Sequence, residues 1–268
     1  MSIHVRPYRP SDLEAVERIT CAAYGHPMSP GMEARLWIDA GNALLGERDG
    51  VAAGFVMASN YGGVAYVASM GVDPAHQRYG IARAMMARLV EDLERDGIAA
   101  MLLDATDDGA PLYESFGFAD TDRTGVFERP AGPETVSGDF PIGAHELARA
   151  LELDRAACGC DRSAVLRGFA RERLAFLALR PDGYLMAREG SLGPFVAFGV
   201  QTARSLLEEA LTARLSARRL FIPESNTAAA ELAQAYGFSR SRSLRHMERG
   251  RSPFARERIF GQASLGHG

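Results

Sequence analysis

The sequence predicts an α/β fold in two similar parts, each a mixed α+β sheet covered by helices. Apolar, strand-like runs alternate with helix-like segments along the 268 residues, a length that suits two ordinary domains. The order of segments recurs in the second half, where Tyr236-Gly237-Phe238 stands 120 residues after Phe116-Gly117-Phe118. Residues 131–143 are rich in proline and glycine, which is typical of a linker.

These observations set the domain boundaries that we predict. The first domain covers residues 1–130 and the second covers residues 144–250, joined by the linker at 131–143. The last residues, 251–268, form a tail that is rich in arginine and then in glycine.

Composition limits the class of function. A net charge of −4 and a pI near 5.9 argue against nucleic-acid binding. The uncharged stretch 50–72 is long enough to span a membrane, but Asn60-Tyr61-Gly62-Gly63 interrupts it and favours two strands joined by a turn. Residues 1–8 lack the apolar run of a signal peptide. Three cysteines cannot form a disulfide framework, so we expect a cytoplasmic protein. The spacing Cys158-Gly159-Cys160 is tighter than the usual Cys-x-x-Cys of metal sites, and we expect no bound metal.

The predicted elements of the first half follow one another closely. Ser11 is a candidate N-cap for the first helix, with Glu14 three residues further on. The elements are a strand at 3–7, helices after Ser11 and at 31–40, a three-strand meander at 43–47, 51–59 and 64–72, a helix from Ile81, a strand at 98–105 parallel to the third meander strand, a short helix at 110–116 and a strand at 124–129.

The second half repeats this order with less regular patterns. The elements predicted there are helical segments at 144–174, strands at 176–179 and 184–188, an apolar run at 193–197 followed by a helix, a strand at 219–223 and a helix at 226–236 capped by Asn226.

The stretch 64–97 is the most informative part of the chain. Its β-branched and aromatic strand ends in a proline-containing break at residues 73–76, and a helix opens at Gln77-Arg78-Tyr79-Gly80-Ile81-Ala82. Gly97 stands where a left-handed residue ends that helix. The residues that form its apolar stripe are Ile81, Met85, Met86, Leu89, Val90 and Leu93.

A helix that opens on a glycine turn after a strand can bind an anion. Its first turn leaves backbone N–H groups unpaired, and the peptide dipoles make that end positive. Gly80 and Ala82 allow a phosphate to approach, while Arg78 and Arg83 add positive charge. An ordinary strand-turn-helix crossover would carry the same glycine.

The motif Gln77-x-x-Gly80-x-Ala82 after a strand resembles the pyrophosphate loop of the GNAT superfamily of N-acetyltransferases. It matches neither Gly-x-Gly-x-x-Gly nor a Walker loop, and the sequence contains no lysine for a P-loop or a Schiff base. Residues 111–118, PLYESFGF, resemble a second element of the same family and follow in the same order. The first half is therefore identified as a GNAT-like acyl-CoA N-acyltransferase domain.

The resemblance implies acetyl-CoA as the cofactor, with its pyrophosphate on the loop and its pantetheine arm along the third meander strand. Gly71 suggests a bulge that leaves backbone groups of that strand free for the arm. Plain sheet core is the alternative interpretation of Met70 and Val72, and the family resemblance favours the cofactor role. The residues implied in cofactor binding are Ser69, Met70, Gly71, Val72, Gln77, Arg78, Tyr79, Gly80, Ile81, Ala82 and Arg83.

The resemblance also implies Tyr113 as the general acid that protonates the departing thiolate. A packed aromatic residue beside Phe116-Gly117-Phe118 is the alternative interpretation of Tyr113. The acceptor of the amine proton stays open between Asp104, Glu33 and ordered water. The two loop histidines nearby, His26 and His76, are expected at the surface.

The second half departs from the family pattern where the chemistry would lie. Aligning the two Gly-Phe segments puts Ala233 opposite Tyr113, and no Gln-x-x-Gly-x-Ala remains. It resembles the degenerate C-terminal domain of tandem members of the family, which implies one acetyl-CoA per chain. We expect an N-acetyltransferase that acts on the primary amine of a small molecule, as a monomer or weak homodimer. The alternative function is a non-catalytic acyl-CoA-binding or sensing protein.

Overall fold

The computed structural model describes residues 2–25, 35–36, 42–130, 142–172, 175–188, 190–213 and 218–268. The chain separates into two compact units. The first comprises Met1–Leu103, Asp108–Ala119 and Glu248–Ser252, and the second comprises Asp104–Asp107, Asp120–Met247 and Pro253–Gly268. The predicted helix at 31–40 and the predicted linker lie almost wholly outside the described residues.

The first unit contains a sheet whose strands follow the order β1-β2-β3-β4-β5. Neighbours from β1 to β4 pair antiparallel, and β4 pairs with β5 in parallel, so the predicted meander and parallel strand are confirmed. The elements are β1 (Ile3–Pro7), α1 (Leu13–Tyr24), β2 (Ala43–Arg48), β3 (Val51–Asn60), β4 (Val64–Val72), α2 (Ile81–Arg95), β5 (Ala100–Ala105) and α3 (Ala110–Glu114).

The apolar stripe predicted for α2 is confirmed, because all six of its residues are buried. Gly97 follows the helix with φ of +77°, the left-handed conformation that the sequence predicted. On α1, Val16 and Ile19 are fully buried against side chains of β2, β3 and β4. Burial of these two helix faces holds the strand ends and loops of the first unit in place.

The start of α1 differs from the prediction. The helix begins at Leu13 after a 3₁₀ turn at Pro10–Asp12, so Ser11 is not its N-cap. The Asp12 carboxylate accepts a hydrogen bond from the Arg9 N–H at 2.8 Å and lies 2.7 Å from the Arg6 guanidinium. These contacts, together with Pro10 in the turn, move the helix start past Ser11.

The second unit contains a sheet in the order β11-β6-β10-β9-β8-β7, with β12 paired to β9. A large apolar core lies between its strands and helices, built around residues such as Phe195, Leu206 and Ile222. The elements are β6 (Ala119–Glu128), α4 (Ala144–Cys158), α5 (Ser163–Phe169), β7 (Phe176–Arg180), β8 (Gly183–Arg188), β9 (Ser191–Ala197), α6 (Val200–Thr212), β10 (Arg219–Pro223), α7 (Thr227–Ala235), β11 (Ser239–Arg249) and β12 (Ile259–Gly261).

The compact units divide the chain differently from the predicted domain boundaries. β6 pairs antiparallel with β10 from Thr124 to Glu128, so it belongs almost entirely to the second unit. Residues 253–268 are also part of the second unit, where Phe260 and Ala263 are buried. β11 and β12 had no counterpart among the predicted elements, since their pairing partners lie far away in sequence.

No helix among the described residues is long and apolar enough to cross a membrane. The same residues contain no group of three or more metal-ligating side chains. Cys21, Cys158 and Cys160 are free thiols.

Candidate active site in the first unit

The site begins where β4 separates from β5. Val64, Ala65 and Tyr66 pair with β5 in parallel, and within the described residues this pairing extends no further along β4. On its other side, β4 continues to pair with β3 as far as Val72. Residues 67–72 therefore offer one strand edge of the first unit to an extended ligand.

A β-bulge lies within this free edge. Ser69 and Met70 together stand opposite Val56 alone, which breaks the ladder between β3 and β4. The bulge expected near Gly71 is thus confirmed, although the left-handed residue in it is Ser69, with φ of +54°. Gly71 has a different role, because it leaves room for the end of α1. A Cβ at Gly71 would lie 3.3 Å from the Ala23 Cβ.

The connection from β4 to α2 has the backbone of an anion site. It runs through eight residues, from Asp73 to Gly80, and ends in Gly80 as the N-cap of α2. Arg78 and Gly80 both have left-handed φ values, +65° and +89°. Gly80 needs to be glycine for this conformation, and among the described residues a Cβ there would meet only the Ile3 Cδ1, at 3.7 Å. The first N–H groups of α2 therefore face open space.

Two side chains fix this connection, one to β4 and one to α1. The Gln77 Nε2 donates a hydrogen bond to the Val72 carbonyl at 3.2 Å, which joins the loop to the end of β4. The Asp73 carboxylate accepts a hydrogen bond from the Ala75 N–H and lies 2.7 Å from the Arg18 guanidinium on α1. The loop is therefore held from both sides before any ligand binds.

A pocket of about 360 Å³ opens between the free edge of β4, the loop and the start of α2. It brings together eight of the eleven residues that the sequence predicts for cofactor binding. His76 and Leu112 line it as well, and His76, which was expected at the surface, is half-buried at the pocket wall. The lining residues are Met70, Val72, His76, Gln77, Arg78, Gly80, Ile81, Ala82, Arg83 and Leu112.

Three predicted cofactor residues do not line this pocket. Ser69 and Gly71 shape the bulge beside it. The Tyr79 ring is 49% exposed and stacks against the Arg48 guanidinium, 3.4 Å from the ring centroid. This stacking turns the Tyr79 side chain away from the pocket, although its backbone remains part of the loop.

The residues of this pocket fit a diphosphate group. Arg78 and Arg83 supply positive charge beside the N-terminus of α2. The His76 Nδ1 is buried, and within the described residues it has no hydrogen-bond partner. The open space above Gly80 is where such a group would approach the backbone.

Tyr113 lies on α3, one residue after the pocket residue Leu112. Its half-buried ring meets Phe118 edge-on, with the ring centroids 6.1 Å apart. Burial, and to a smaller extent the nearby Tyr24 hydroxyl, raise the pKa of Tyr113 above its ordinary value of 10. The Tyr113 hydroxyl is therefore neutral and able to donate a proton throughout the neutral range.

The sequence analysis missed Tyr24, the last residue of α1. Its hydroxyl donates a hydrogen bond to the Met70 carbonyl at 2.7 Å, at the bulge itself. The one sequence signal is its position immediately before Gly25, which ends α1 in a left-handed conformation. That signal marks the helix end but gives no indication of what Tyr24 contacts.

Asp104, one candidate for the general base, has a fully buried carboxylate in the second unit. It accepts a hydrogen bond from the Thr124 hydroxyl at 2.6 Å and lies 3.0 Å from the His246 Nδ1. These contacts make Asp104 a satisfied structural group. Glu33 and His26 lie outside the described residues.

The second unit contains a matching cleft between β9 and β10. These parallel strands share a single paired position, Ser191 with Arg219. β9 carries a bulge in which Gly193 and Pro194 stand opposite Met186 alone. The connection from β9 to α6 is only Phe198 and Gly199, so the eight-residue loop of the first unit has no equivalent there.

The cleft of the second unit is filled by β12 and the residue after it. Gly261 pairs with Phe195 of β9, and the Gln262 N–H donates a hydrogen bond to the Phe221 carbonyl of β10 at 2.7 Å. The Gln262 carbonyl lies 2.1 Å from the position that a Cβ on Gly193 would take. Asn226, which caps α7 as predicted, also donates to the Ile259 carbonyl at 3.0 Å and anchors the segment.

Fold and site define the class of protein as an acyltransferase, and comparison with protein families makes this specific. Residues 13–118 match the model of the Acetyltransferase (GNAT) family, and residues 150–261 match that of the Acetyltransferase (GNAT) domain. The chain therefore belongs to the GNAT acetyltransferase family, with one copy of the fold in each half. This confirms the family and the tandem arrangement that the motifs predicted.

The chain resembles a solved structure over its whole length. A Pyrococcus horikoshii protein to which an acetyltransferase activity is ascribed is 28% identical, with a TM-score of 0.87, covering 99% of this chain and 96% of that one. The curated relatives match over a short stretch. Mycothiol acetyltransferase of Brachybacterium faecium is 36% identical over 95 residues, which cover 32% of this chain and 28% of that protein. The ribosomal protein bS18-alanine N-acetyltransferase of Escherichia coli strain K12 is 40% identical over 53 residues, covering 19% of this chain and 36% of that protein.

Proposed function

We propose that this protein is an N-acetyltransferase that transfers the acetyl group of acetyl-CoA directly to a primary amine, at the pocket of the first unit. The proposal rests on one observation: a strand edge and an anion-binding loop adjoin each other in one pocket. The free, bulged edge of β4 leads without interruption into the loop and the N-terminus of α2. An extended amide-containing arm that ends in a diphosphate needs this combination.

The residues of the pocket have separate roles in this proposal. Gln77 to Arg83 hold the diphosphate through backbone N–H groups and the charges of Arg78 and Arg83. Met70 and Val72 offer backbone groups to the pantetheine arm. When bound, acetyl-CoA supplies an acetyl thioester whose thiol is the leaving group.

Tyr113 is the proposed proton donor to the leaving sulfur. Because its pKa is raised, the hydroxyl keeps its proton until negative charge develops on the sulfur. A thiol has a pKa of about 8.5, below that of Tyr113, so complete proton transfer from Tyr113 to the thiolate is unfavourable. The hydroxyl therefore acts first as a hydrogen-bond donor that stabilises the departing thiolate.

The second unit has no part in cofactor binding under this proposal. It lacks the loop, and its cleft is occupied by residues 259–262. Ala233, which aligns with Tyr113, is buried in its core and carries no acid. We therefore propose one acetyl-CoA per chain.

The acceptor is proposed to be the primary amine of a small molecule. The similarity to a mycothiol acetyltransferase supports a small-molecule acceptor, whereas the similarity to a bS18-alanine N-acetyltransferase supports a peptide N-terminus. The mycothiol match covers the larger part of this chain, 32% against 19%, and it decides our choice.

Release of free thiol from acetyl-CoA tests the proposal directly. The purified chain is incubated with acetyl-CoA and a panel of amines: amino sugars, aminoglycosides, polyamines, and peptides beginning with alanine. Turnover with small amines and not with the peptides is expected. Turnover with the peptides alone would overturn the small-molecule assignment. Tight cofactor binding without turnover on any amine would favour the non-catalytic acyl-CoA sensor.

We further propose a cytoplasmic protein that is a monomer or weak homodimer. The free thiols of Cys21, Cys158 and Cys160 support a reducing compartment. Light scattering at micromolar and higher protein concentrations measures the oligomeric state. A stable tetramer at the lowest concentration would contradict this part of the proposal.

A further inference from the structure

Tyr24 is placed at the bulge of β4 by two features of the sequence. Gly25 ends α1 with φ of +74°, so Tyr24 is the last residue of the helix. Gly71 has no side chain, and its hypothetical Cβ would lie 3.6 Å from the Cε2 of the Tyr24 ring. The ring therefore lies at contact distance from the strand at Gly71, and its hydroxyl donates a hydrogen bond to the Met70 carbonyl at 2.7 Å.

The carbonyl that Tyr24 holds belongs to the free edge of β4. Met70 is one of the two bulge residues, and β5 does not pair with this part of the strand in the described chain. The peptide unit from Met70 to Gly71 is planar and trans, so its C=O and N–H point in opposite directions. A hydrogen bond that fixes the Met70 carbonyl therefore also fixes the direction of the Gly71 N–H.

Tyr24 and Tyr113 interact with each other at this point. The Tyr24 hydroxyl is one of the two causes that raise the pKa of Tyr113, and partial burial raises the pKa of Tyr24 itself, although the residue is 43% exposed. Both hydroxyls stay neutral in the physiological range. Since Tyr24 has already committed its proton to Met70, it differs in role from Tyr113.

We propose that Tyr24 is a positioning residue for acetyl transfer, which fixes the Met70 carbonyl and so holds the β4 bulge in the shape that presents the thioester beside Tyr113. This inference rests on the proposed function. Tyr24, at the end of α1, then contributes to the transfer step and not to the affinity for acetyl-CoA. The bulge contains a left-handed Ser69, a conformation that surrounding contacts must maintain.

Tyr24→Phe tests this assignment because it keeps the ring against Gly71 and removes only the donor. Loss of one hydrogen bond that acts in the acetyl-transfer step should lower kcat about tenfold. The KM for acetyl-CoA should change less than about twofold. The matched control is Tyr236→Phe, which removes a hydroxyl bonded to Glu208 in the second unit. This control should leave both constants unchanged.

Amide hydrogen exchange of Met70 and Gly71 in the ligand-free protein supplies a readout that does not depend on turnover. Faster exchange at these two amides is expected in Tyr24→Phe and not in Tyr113→Phe. As a second route, Gly71→Ala places a Cβ 3.3 Å from the Ala23 Cβ, so it should displace the end of α1 and lower kcat in the same way.

Two results would overturn the assignment of Tyr24. One is wild-type kcat together with wild-type exchange in Tyr24→Phe, and the other is a rise in KM for acetyl-CoA without a fall in kcat. If the wild-type protein acetylates no amine, the proposed function fails. In that case the exchange rates of Met70 and Gly71 still decide whether Tyr24 fixes the bulge.

Discussion

Each unit has a cleft between two parallel strands that separate, and residues 259–262 fill the cleft of the second unit. In the first unit, eight residues from Asp73 to Gly80 join the bulged strand to its helix and leave the helix N-terminus open. In the second unit, Phe198 and Gly199 make the same connection, and Gly199 is extended, with φ of −172°. Both bulges lie near the end of their strand: two residues of β4 follow Ser69-Met70, and three residues of β9 follow Gly193-Pro194.

Features that both units share belong to the fold, and features that only the first unit has are candidates for a role in binding. The bulge and the separation of the parallel strands are present in both units, so they belong to the fold. The eight-residue loop is present only in the first unit, which supports its proposed role in cofactor binding. A free strand edge is a liability when no ligand covers it, and in the second unit residues 259–262 cover it.

The largest expected effect comes from putting a carboxylate at the loop of the first unit. Gly80→Glu forces a left-handed φ on a residue with a Cβ and places negative charge at the proposed diphosphate site. We expect the Kd for acetyl-CoA, measured by calorimetry, to rise by at least about 100-fold.

The matched control is Gly199→Glu, at the start of the corresponding helix of the second unit. Gly199 is extended, and no atom of the described residues would lie within 4 Å of a Cβ placed there. Acetyl-CoA affinity should stay at the wild-type value in this variant. Equal losses in both variants would mean that the two connections do not differ in the way described above.

The second effect concerns Tyr113, the proposed acid, which aligns with Ala233 in the second unit. Tyr113→Phe should lower kcat by about 100-fold and leave the Kd for acetyl-CoA within about twofold. Because the pKa of Tyr113 is raised, its hydroxyl stays protonated to higher pH than a free tyrosine, and ionisation of Tyr113 should cause no loss of wild-type kcat between pH 7 and 10. A Tyr113→Phe enzyme with wild-type kcat would remove the proposed acid.

A third prediction tests whether residues 259–262 are an integral part of the second unit. Gly193→Ala puts a methyl group onto the Gln262 carbonyl, 2.1 Å away, at a backbone φ of +155°. We expect a loss of about 2 to 3 kcal/mol in the free energy of unfolding, measured by urea titration. Gly199→Ala is the control with open space around the new methyl group, and equal stability of the two variants would contradict the filled cleft.

The smallest effect is expected for the ion pair that holds the loop before a ligand binds. Arg18→Ala removes the 2.7 Å contact with Asp73, but the Arg18 side chain is 48% exposed. An exposed pair contributes little, so the Kd for acetyl-CoA should rise about two- to fourfold. Arg95→Ala removes similar contacts at the far end of α2 and should leave the Kd unchanged.

Local patterns were enough to predict most of the first unit. The alternation of β2, β3 and β4, the stripe of α2 and the turn at Gly80 all depend on neighbours in sequence, and the structure has them at nearly the predicted bounds. Family resemblance then located the pocket, eight of whose lining residues were predicted.

Contacts between distant parts of the chain explain what was missed. The pairing of β6 with β10 and of β12 with β9 joins residues far apart in sequence, so no local pattern indicates it. Tyr24 meets Met70 only because α1 folds back onto β4. Ser11 was a sound capping residue by local rules, but the ion pair of Asp12 with Arg6 decided where the helix begins.

Calorimetric titration of the full chain with acetyl-CoA tests the central claim most directly, because the claim is that one cleft is open and the other is filled. The account predicts one binding site per chain, lost in Gly80→Glu and kept in Gly199→Glu. Two sites of similar affinity, or a single site that survives Gly80→Glu, would contradict it.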